Sequence, residues 1–413
     1  MVSPPSENRL NRADSPLRTA EPGAPPPDDF IPLCVPEIRG NEWRYIKDCL
    51  DTGWVSSVGS YVDRFEQMCA ARVGVTHAVA TVNGTAALHI ALQLAGVEPD
   101  DEVLVPTLTF IAPANAVRYC GAWPVFIDAE PEYWQMDPAK TADYLENGCV
   151  WRDGTLRSRT TGRRVRALLP VHVLGHPVDL APLLELARKF NVAVIEDATE
   201  SLGATYRDRP VGQLGDIACL SFNGNKLVTT GGGGMILTNN AAWAQRAKYL
   251  TTQAKDDPVE YVHGAIGYNY RLTNVQAAMG CAQMELLDEY IAAKRRIAAS
   301  YAAAFADLEG ITPMREAPWA SSVFWMFTVL LDKAKTGIDS RALLSRMQER
   351  KIQTRPLWQP LHQSPAHAGA PAVMSGVAER LFHNCLSLPC SVGLRPEEQE
   401  RVIASLREFV VAS

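Results

Sequence analysis

The sequence predicts an α/β fold: a three-layer α/β/α large domain on a mostly parallel sheet, then a smaller α+β C-terminal domain. Three observations carry this. Short apolar runs recur at 78–82, 102–106, 124–128, 166–171, 192–197, 217–222 and 234–238. Runs this apolar are buried on both faces, as strands covered by helices are. Helix-patterned stretches such as "TAALHIALQLAG" and "DLAPLLELARKF" separate several of them, and strand–helix–strand alternation builds a parallel sheet. Near residue 270 the pattern changes. "TNVQ" (273–276) reads as a capping box opening one long amphipathic helix that Gly310 ends. Beyond it, "SSVFWMFTVLL" reads as strand and "DSRALLSRMQERK" as helix.

The chain has 413 residues, enough for two domains, which the pattern places at 31–272 and 273–413. Residues 1–30 are rich in Pro, Ser and charge without an apolar segment, so they read as a disordered tail rather than a secretory signal. No apolar run is long enough to span a bilayer. A net charge of -6 argues against a nucleic-acid binder that relies on a basic surface. The nine cysteines show neither CxxC nor zinc-finger spacing, which fits reduced thiols in a cytoplasmic protein. His172 and His176 are four apart, but in a Gly/Pro-containing loop rather than on a helix, which disfavours a metal-dependent hydrolase. The arginine-rich segment 149–166 reads as a surface hairpin; an anionic site there is the less economical reading.

Ligands of open α/β sheets sit at the carboxyl ends of the strands. Three such ends carry chemistry. The turn Asn83-Gly84-Thr85 exposes the first amides of a helix, suited to phosphate, or is an ordinary cap. It is not GxGxxG, so a dinucleotide fold is unsupported. "VAVIEDATES" places Glu196 and Asp197 at a strand end, with Glu200 one turn on; these acids either pair with a protonated pyridine nitrogen or form a structural cap or ion pair. "SFNGNKLVTTGGGG" places Ser221 and Lys226 in a loop whose glycines would let backbone approach a ring or phosphate. Lys226 lacks Walker spacing. It is either a Schiff-base former or a solvated lysine. Together these are the three requirements of pyridoxal 5'-phosphate: a phosphate cradle, an acid for the ring nitrogen and a lysine for the imine.

"NGTAALHIAL", "PTLTFIAPANAV", "PVHVLGHPVDL", "IEDATESLGATY", "LSFNGNKLVTTGGGGM" and "IGYNYRLTNVQAAMG" occur in order, and from about Ile31 to its end the chain resembles the DegT/DnrJ/EryC1/StrS sugar aminotransferases, of the fold-type I pyridoxal-phosphate enzymes. The resemblance implies that Lys226 forms the Schiff base and shuttles protons, and that Asp197 pairs with the ring nitrogen. It implies that Gly84, Thr85 and Ser221 bind the phosphate, Phe110 stacks on the ring and Glu200 lies near the ring substituents. Asn269 is implied to reach the phosphate of a neighbouring subunit, making a homodimer with shared active sites. Pro113 stands where relatives often carry Thr. A histidine replaces the lysine in the related dehydratases, so Lys226 favours transamination. The finer likeness is to the LegC-like branch, which moves an amino group from L-glutamate to C4 of UDP-4-keto-6-deoxy-N-acetylglucosamine. The alternative is a GDP-4-keto-6-deoxymannose aminotransferase of the perosamine synthase type. A C3 sugar aminotransferase and a non-catalytic binding protein on the same fold are the remaining readings.

Overall fold

The structure is a computed structural model that describes residues 29–257 and 259–411. The expected tail at 1–30 therefore lies outside the described residues, apart from Asp29 and Phe30. The principal sheet has eight strands. In chain order they are β1 (His77–Thr81), β2 (Glu102–Pro106), β3 (Trp123–Ile127), β4 (Val165–Leu168), β5 (Ala193–Asp197), β6 (Ile217–Ser221), β7 (Gly234–Thr238) and β8 (Ala372–Val373). Their spatial order is β1-β7-β6-β5-β4-β2-β3-β8. β7 pairs antiparallel with both β1 and β6, and every other pairing is parallel. The mostly parallel three-layer reading holds.

Burial explains the strands. All five residues of β2 and of β7 are buried, as central strands between helix layers must be. The helix Gly84–Leu94 is buried along nearly its whole length, whereas Leu180–Phe190 turns only Leu180, Leu183, Leu186, Ala187 and Phe190 inward, at the spacing of one helical face.

The C-terminal part carries a three-stranded antiparallel sheet, from Ile311–Pro313, Phe327–Leu331 and Cys385–Leu388. It is tied back to the large sheet twice. β8 extends the edge at β3, and the Asp128 carboxylate beyond β3 accepts the amides of Ser375, Val377 and Ala378 at 2.7, 3.2 and 2.9 Å. The hairpin expected at 149–166 forms, from Cys149–Arg152 and Thr155–Ser158 around Asp153 and Gly154, both at positive φ. Its arginines serve structure: Arg164 pairs with Asp101 at 2.5 Å, and Arg163 stacks over Trp123 at 4.3 Å.

Two elements differ from expectation. The single long helix is two, Asn274–Met284 and Leu287–Ala304. The capping box at Thr273 is as read, with Gln276 reciprocating. The chain restarts because Asp288 and Glu289 favour a helix N-terminus, while Glu285 is drawn to Asn41, Tyr45 and Arg64. The second helix stops at Ala304, and Gly310, at φ +84°, makes the turn into the following strand. The strand read in "SSVFWMFTVLL" begins only at Phe327; before it Phe324 adopts φ +46°.

The glycine run also acts differently. None of Gly231 to Gly234 lines the cavity described below. Gly234 opens β7 between β1 and β6, and a Cβ there would press into the Asn83 carbonyl and the Thr81 hydroxyl. Glycine lets the strand pass directly beneath the Asn83 turn. Gly234→Ala is therefore expected to destabilise the fold by about 1–3 kcal/mol, since backbone cannot move aside as a side chain can. Denaturant titration checks this, and an unchanged midpoint would contradict it.

Candidate active site

The carboxyl ends of β1, β2, β5 and β6 open onto a cavity of about 520 Å³. It is lined by Gly84, Thr85, Phe110, Asp197, Glu200, Ser221 and Lys226, seven of the eight residues singled out in the sequence. The eighth, Asn269, is exposed and outside the cavity of its own chain.

The two adjacent acids have separate jobs. Strand alternation sends Glu196 and Asp197 to opposite sides of β5. Glu196 is fully buried and accepts the amides of Gly212, Leu214 and Gly215 at 2.8, 2.7 and 2.5 Å. His172 completes it. The His172 Nδ1 accepts from the Val178 N–H, so Nε2 carries the proton and donates to Glu196 at 3.2 Å. Burial pushes the Glu196 pKa up, but His172 and the amides outweigh it and hold the group below its ordinary value. Glu196 is thus the structural acid, and His172 and Glu196 form a hydrogen-bonded anchor rather than a metal site. Among the described residues no group of His, Cys, Asp or Glu could hold a metal ion.

Asp197 is 1% exposed and is held by the Thr199 N–H at 3.1 Å. Burial pushes its pKa up, and Thr199, Lys226 and His172 offset this only in part. A cationic ring nitrogen at this carboxylate would supply the missing charge, so the residue fits the cofactor's requirement.

The phosphate cradle fits as well. Asn83 caps the helix Gly84–Leu94 by accepting Ala86 N–H on its side chain at 2.8 Å and Ala87 N–H on its carbonyl at 3.2 Å. Gly84 and Thr85 both line the cavity, at the positive end of the helix dipole where the first amides lack intrahelical acceptors. A Cβ on Gly84 would stand 3.0 Å from the Ser221 Cβ, so glycine keeps the Ser221 hydroxyl beside the cradle. Phe110 is 54% exposed on the cavity wall beside Pro113, with a ring face free for stacking.

Lys226 is not a solvated lysine. Its Nζ lies 3.9 Å from the centre of the Trp325 ring and 3.6 Å from Glu200 Oε1. Trp325 is fixed by its indole N–H, which donates to the Asn225 carbonyl at 2.8 Å. Glu200 is fixed by the Leu174 N–H at 2.8 Å, from a backbone held at φ +62°, a conformation a leucine rarely takes. Burial pushes the Glu200 pKa up to about 7, with Lys226 pulling it back. Trp325, Trp358 and Arg355 come from the C-terminal part and were not singled out in the sequence. "RPLWQPLH" held a signal, since an aromatic residue framed by prolines is poor helix and poor central strand. Trp325 sat in what read as regular strand.

Glu200 yields a prediction about stability. A carboxyl whose folded pKa is raised costs stability as pH climbs from the unfolded value, about 4.5, to the folded one, about 7, and the full cost persists above. In protein stripped of cofactor, Glu200→Gln should remove up to about 3 kcal/mol of that decline between these limits. Parallel pH profiles of wild type and variant would contradict this.

A sequence profile of the DegT/DnrJ/EryC1/StrS aminotransferase family matches residues 36–407. The GDP-perosamine synthase of Caulobacter vibrioides is 40% identical over 92% of this chain and 98% of its own length. That of Escherichia coli O157:H7 is 36% identical over 92% and 98%. The crystal structure of S. venezuelae DesV superposes with a TM-score of 0.80 at 32% identity, covering 90% of this chain and 94% of its own. With Lys226, Asp197, Gly84 and Thr85 brought around one cavity at the carboxyl ends of the strands, the chain belongs to the DegT/DnrJ/EryC1/StrS aminotransferase family and is a pyridoxal-phosphate-dependent sugar aminotransferase.

Proposed function

We propose that the enzyme moves an amino group from L-glutamate to C4 of GDP-4-keto-6-deoxymannose. The observation that carries this is the near-full-length similarity to two GDP-perosamine synthases. It favours the GDP-linked acceptor over the UDP-linked one that the LegC-like motifs first suggested.

Pyridoxal phosphate, when bound, supplies the electron sink for the carbon that loses its proton. The chain's residues do the rest. Lys226 Nζ takes the donor's α-proton and returns it, a transfer worth about 10²–10⁴-fold in rate. The Trp325 face and Glu200 hold that amine over one line of approach. Glu200, raised to about 7 by burial and 3.6 Å from Lys226 Nζ, stands where it can hold a proton beside that amine. Asp197 holds a proton on the ring nitrogen; Gly84, Thr85 and Ser221 bind the phosphate; Phe110 covers the ring.

A homodimer with shared sites belongs to this reading. Asn269 is exposed and does not line its own cavity, as a residue serving a second copy would. Trp43, Leu50, Trp54 and Ile266 are large apolar side chains left exposed, with Trp43 at 83% and Ile266 at 85%. Among the described residues no helix is long and apolar enough to cross a membrane.

Borohydride treatment of the cofactor-loaded protein should fix a pyridoxyl group on the Lys226 peptide, read by mass spectrometry, and Lys226→Ala should carry none. Recovery of the label on another lysine would end the assignment. With glutamate as donor, GDP-4-keto-6-deoxymannose should be aminated and UDP-4-keto-6-deoxy-N-acetylglucosamine should not. The reverse preference would restore the UDP-linked acceptor. Asp197→Ala should lose turnover by about 10²-fold or more while keeping its melting temperature, and near-normal turnover would remove Asp197 from its role.

A further inference from the structure

Lys294, on the helix Leu287–Ala304, is 2% exposed. Its Nζ donates to the Trp325 carbonyl at 2.7 Å and the Cys390 carbonyl at 2.5 Å, and lies 3.7 Å from Cys34 Sγ and 3.5 Å from Cys390 Sγ. A buried ammonium is costly unless paired. Here the charges acting on it are those of the two cysteines, not of a carboxylate. Burial works against its charge, but the sulfurs outweigh burial and hold its pKa above the ordinary value. The arrangement therefore calls for a thiolate.

Cys34 is the thiol to supply it. It is partly exposed, whereas Cys390 is buried. The Cys390 side chain, and then Lys294, lower the Cys34 pKa to about 6 against the effect of burial; the Lys226 charge adds to this. Each of the other eight cysteines is pushed up instead. Backbone pairing sets the two cysteines alongside. The Cys390 N–H donates to the Leu33 carbonyl at 2.8 Å, and the Val35 N–H to Ser391 Oγ at 3.1 Å. The cluster also adjoins the active site. Cys34 Sγ lies 3.5 Å from the Asn225 carbonyl oxygen, which accepts the Trp325 indole N–H at 2.8 Å, one residue from Lys226.

We propose that Cys34 and Cys390 form an oxidation site, with Cys34 the peroxide-reactive thiolate stabilised by Lys294 and Cys390 the resolving thiol. The chemistry balances. The Cys34 thiolate attacks hydrogen peroxide; an S–O bond forms, the O–O bond breaks, and the departing hydroxide takes a proton from solvent. Cys34 is oxidised to the sulfenic acid as peroxide is reduced to water. The Cys390 sulfur then attacks Cys34, the S–S bond forms, the S–O bond breaks, and the Cys390 proton leaves with the oxygen as a second water. Two thiols and one peroxide give one disulfide and two waters. The bridge replaces the Cys34 thiolate charge and ties its sulfur to Cys390 beside the Asn225 carbonyl that holds Trp325, so the wall under Lys226 changes and turnover falls.

The test is peptide mass spectrometry of the cofactor-loaded enzyme. Iodoacetamide should label Cys34 ahead of the other eight cysteines, with a midpoint near pH 6. A small excess of hydrogen peroxide should produce a linked Cys34–Cys390 peptide and lower turnover, and dithiothreitol should reverse both. Cys34→Ser should keep its turnover through peroxide treatment. Lys294→Met, if it folds, should move the labelling midpoint up toward the ordinary thiol value of about 8.5; if it does not fold, the Cys34→Ser comparison decides. Labelling of Cys34 no faster than its fellows would overturn the thiolate. Oxidation of Cys34 without a link to Cys390 would overturn the resolving role.

Discussion

The buried carboxylate of Glu196 is the constraint from which the active site follows. Three backbone amides and the His172 ring satisfy it completely inside the protein. A buried charge this well paired is costly to break, because removing any partner leaves the rest uncompensated. It therefore fixes the end of β5 and the loop that carries 212–215 against each other. With Glu196 turned inward, the pleat leaves Asp197 no direction but the cavity. The backbone N–H of the same His172 donates to the Asp197 backbone carbonyl at 3.1 Å, so backbone and side chain of the two acids are set together.

The cavity built on that anchor contains charges held short of satisfaction. Asp197 and Glu200 are both buried enough to have raised pKa values, and both feel Lys226. Structural acids would have been paired off, as Glu196 is. These two instead keep their proton affinity available, which suits the proposed roles of Asp197 toward a ring nitrogen and of Glu200 toward the lysine amine. The strained backbone at Leu174, which exists to give Glu200 its one amide, fits a site whose geometry is set by function at some expense to the fold. Trp325 contributes differently. It offers Lys226 a face rather than a charge, which restrains the amine without competing for its proton.

Much of this was legible in the sequence, because the large domain follows local rules. Continuous apolar runs gave the strands, the Asn83 turn gave the helix cap, and strand ends located Asp197, Ser221 and Lys226. What could not be read depended on distant contacts. Nothing local distinguishes Glu196 from Asp197; the difference lies in amides some fifteen to twenty residues away that fold back onto one of them. The role of the glycine run differs for the same reason: the close approach Gly234 permits is to the Asn83 backbone, which only β7 inserted between β1 and β6 reveals. Trp325 was hidden by pattern, since a kink at Phe324 looks like strand in one dimension. The broken helix at Leu286 was the nearest to being readable, through the acidic pair Asp288 and Glu289.

The central claim is that Asp197, oriented by the Glu196 anchor, keeps the cofactor's ring nitrogen protonated. Nitrogen NMR of the enzyme loaded with ¹⁵N-labelled pyridoxal phosphate measures this directly. The account predicts a pyridinium shift in the wild type across neutral pH, and a shift toward neutral pyridine in Asp197→Asn. A neutral pyridine signal in the wild type, or an unchanged pyridinium in Asp197→Asn, would contradict it.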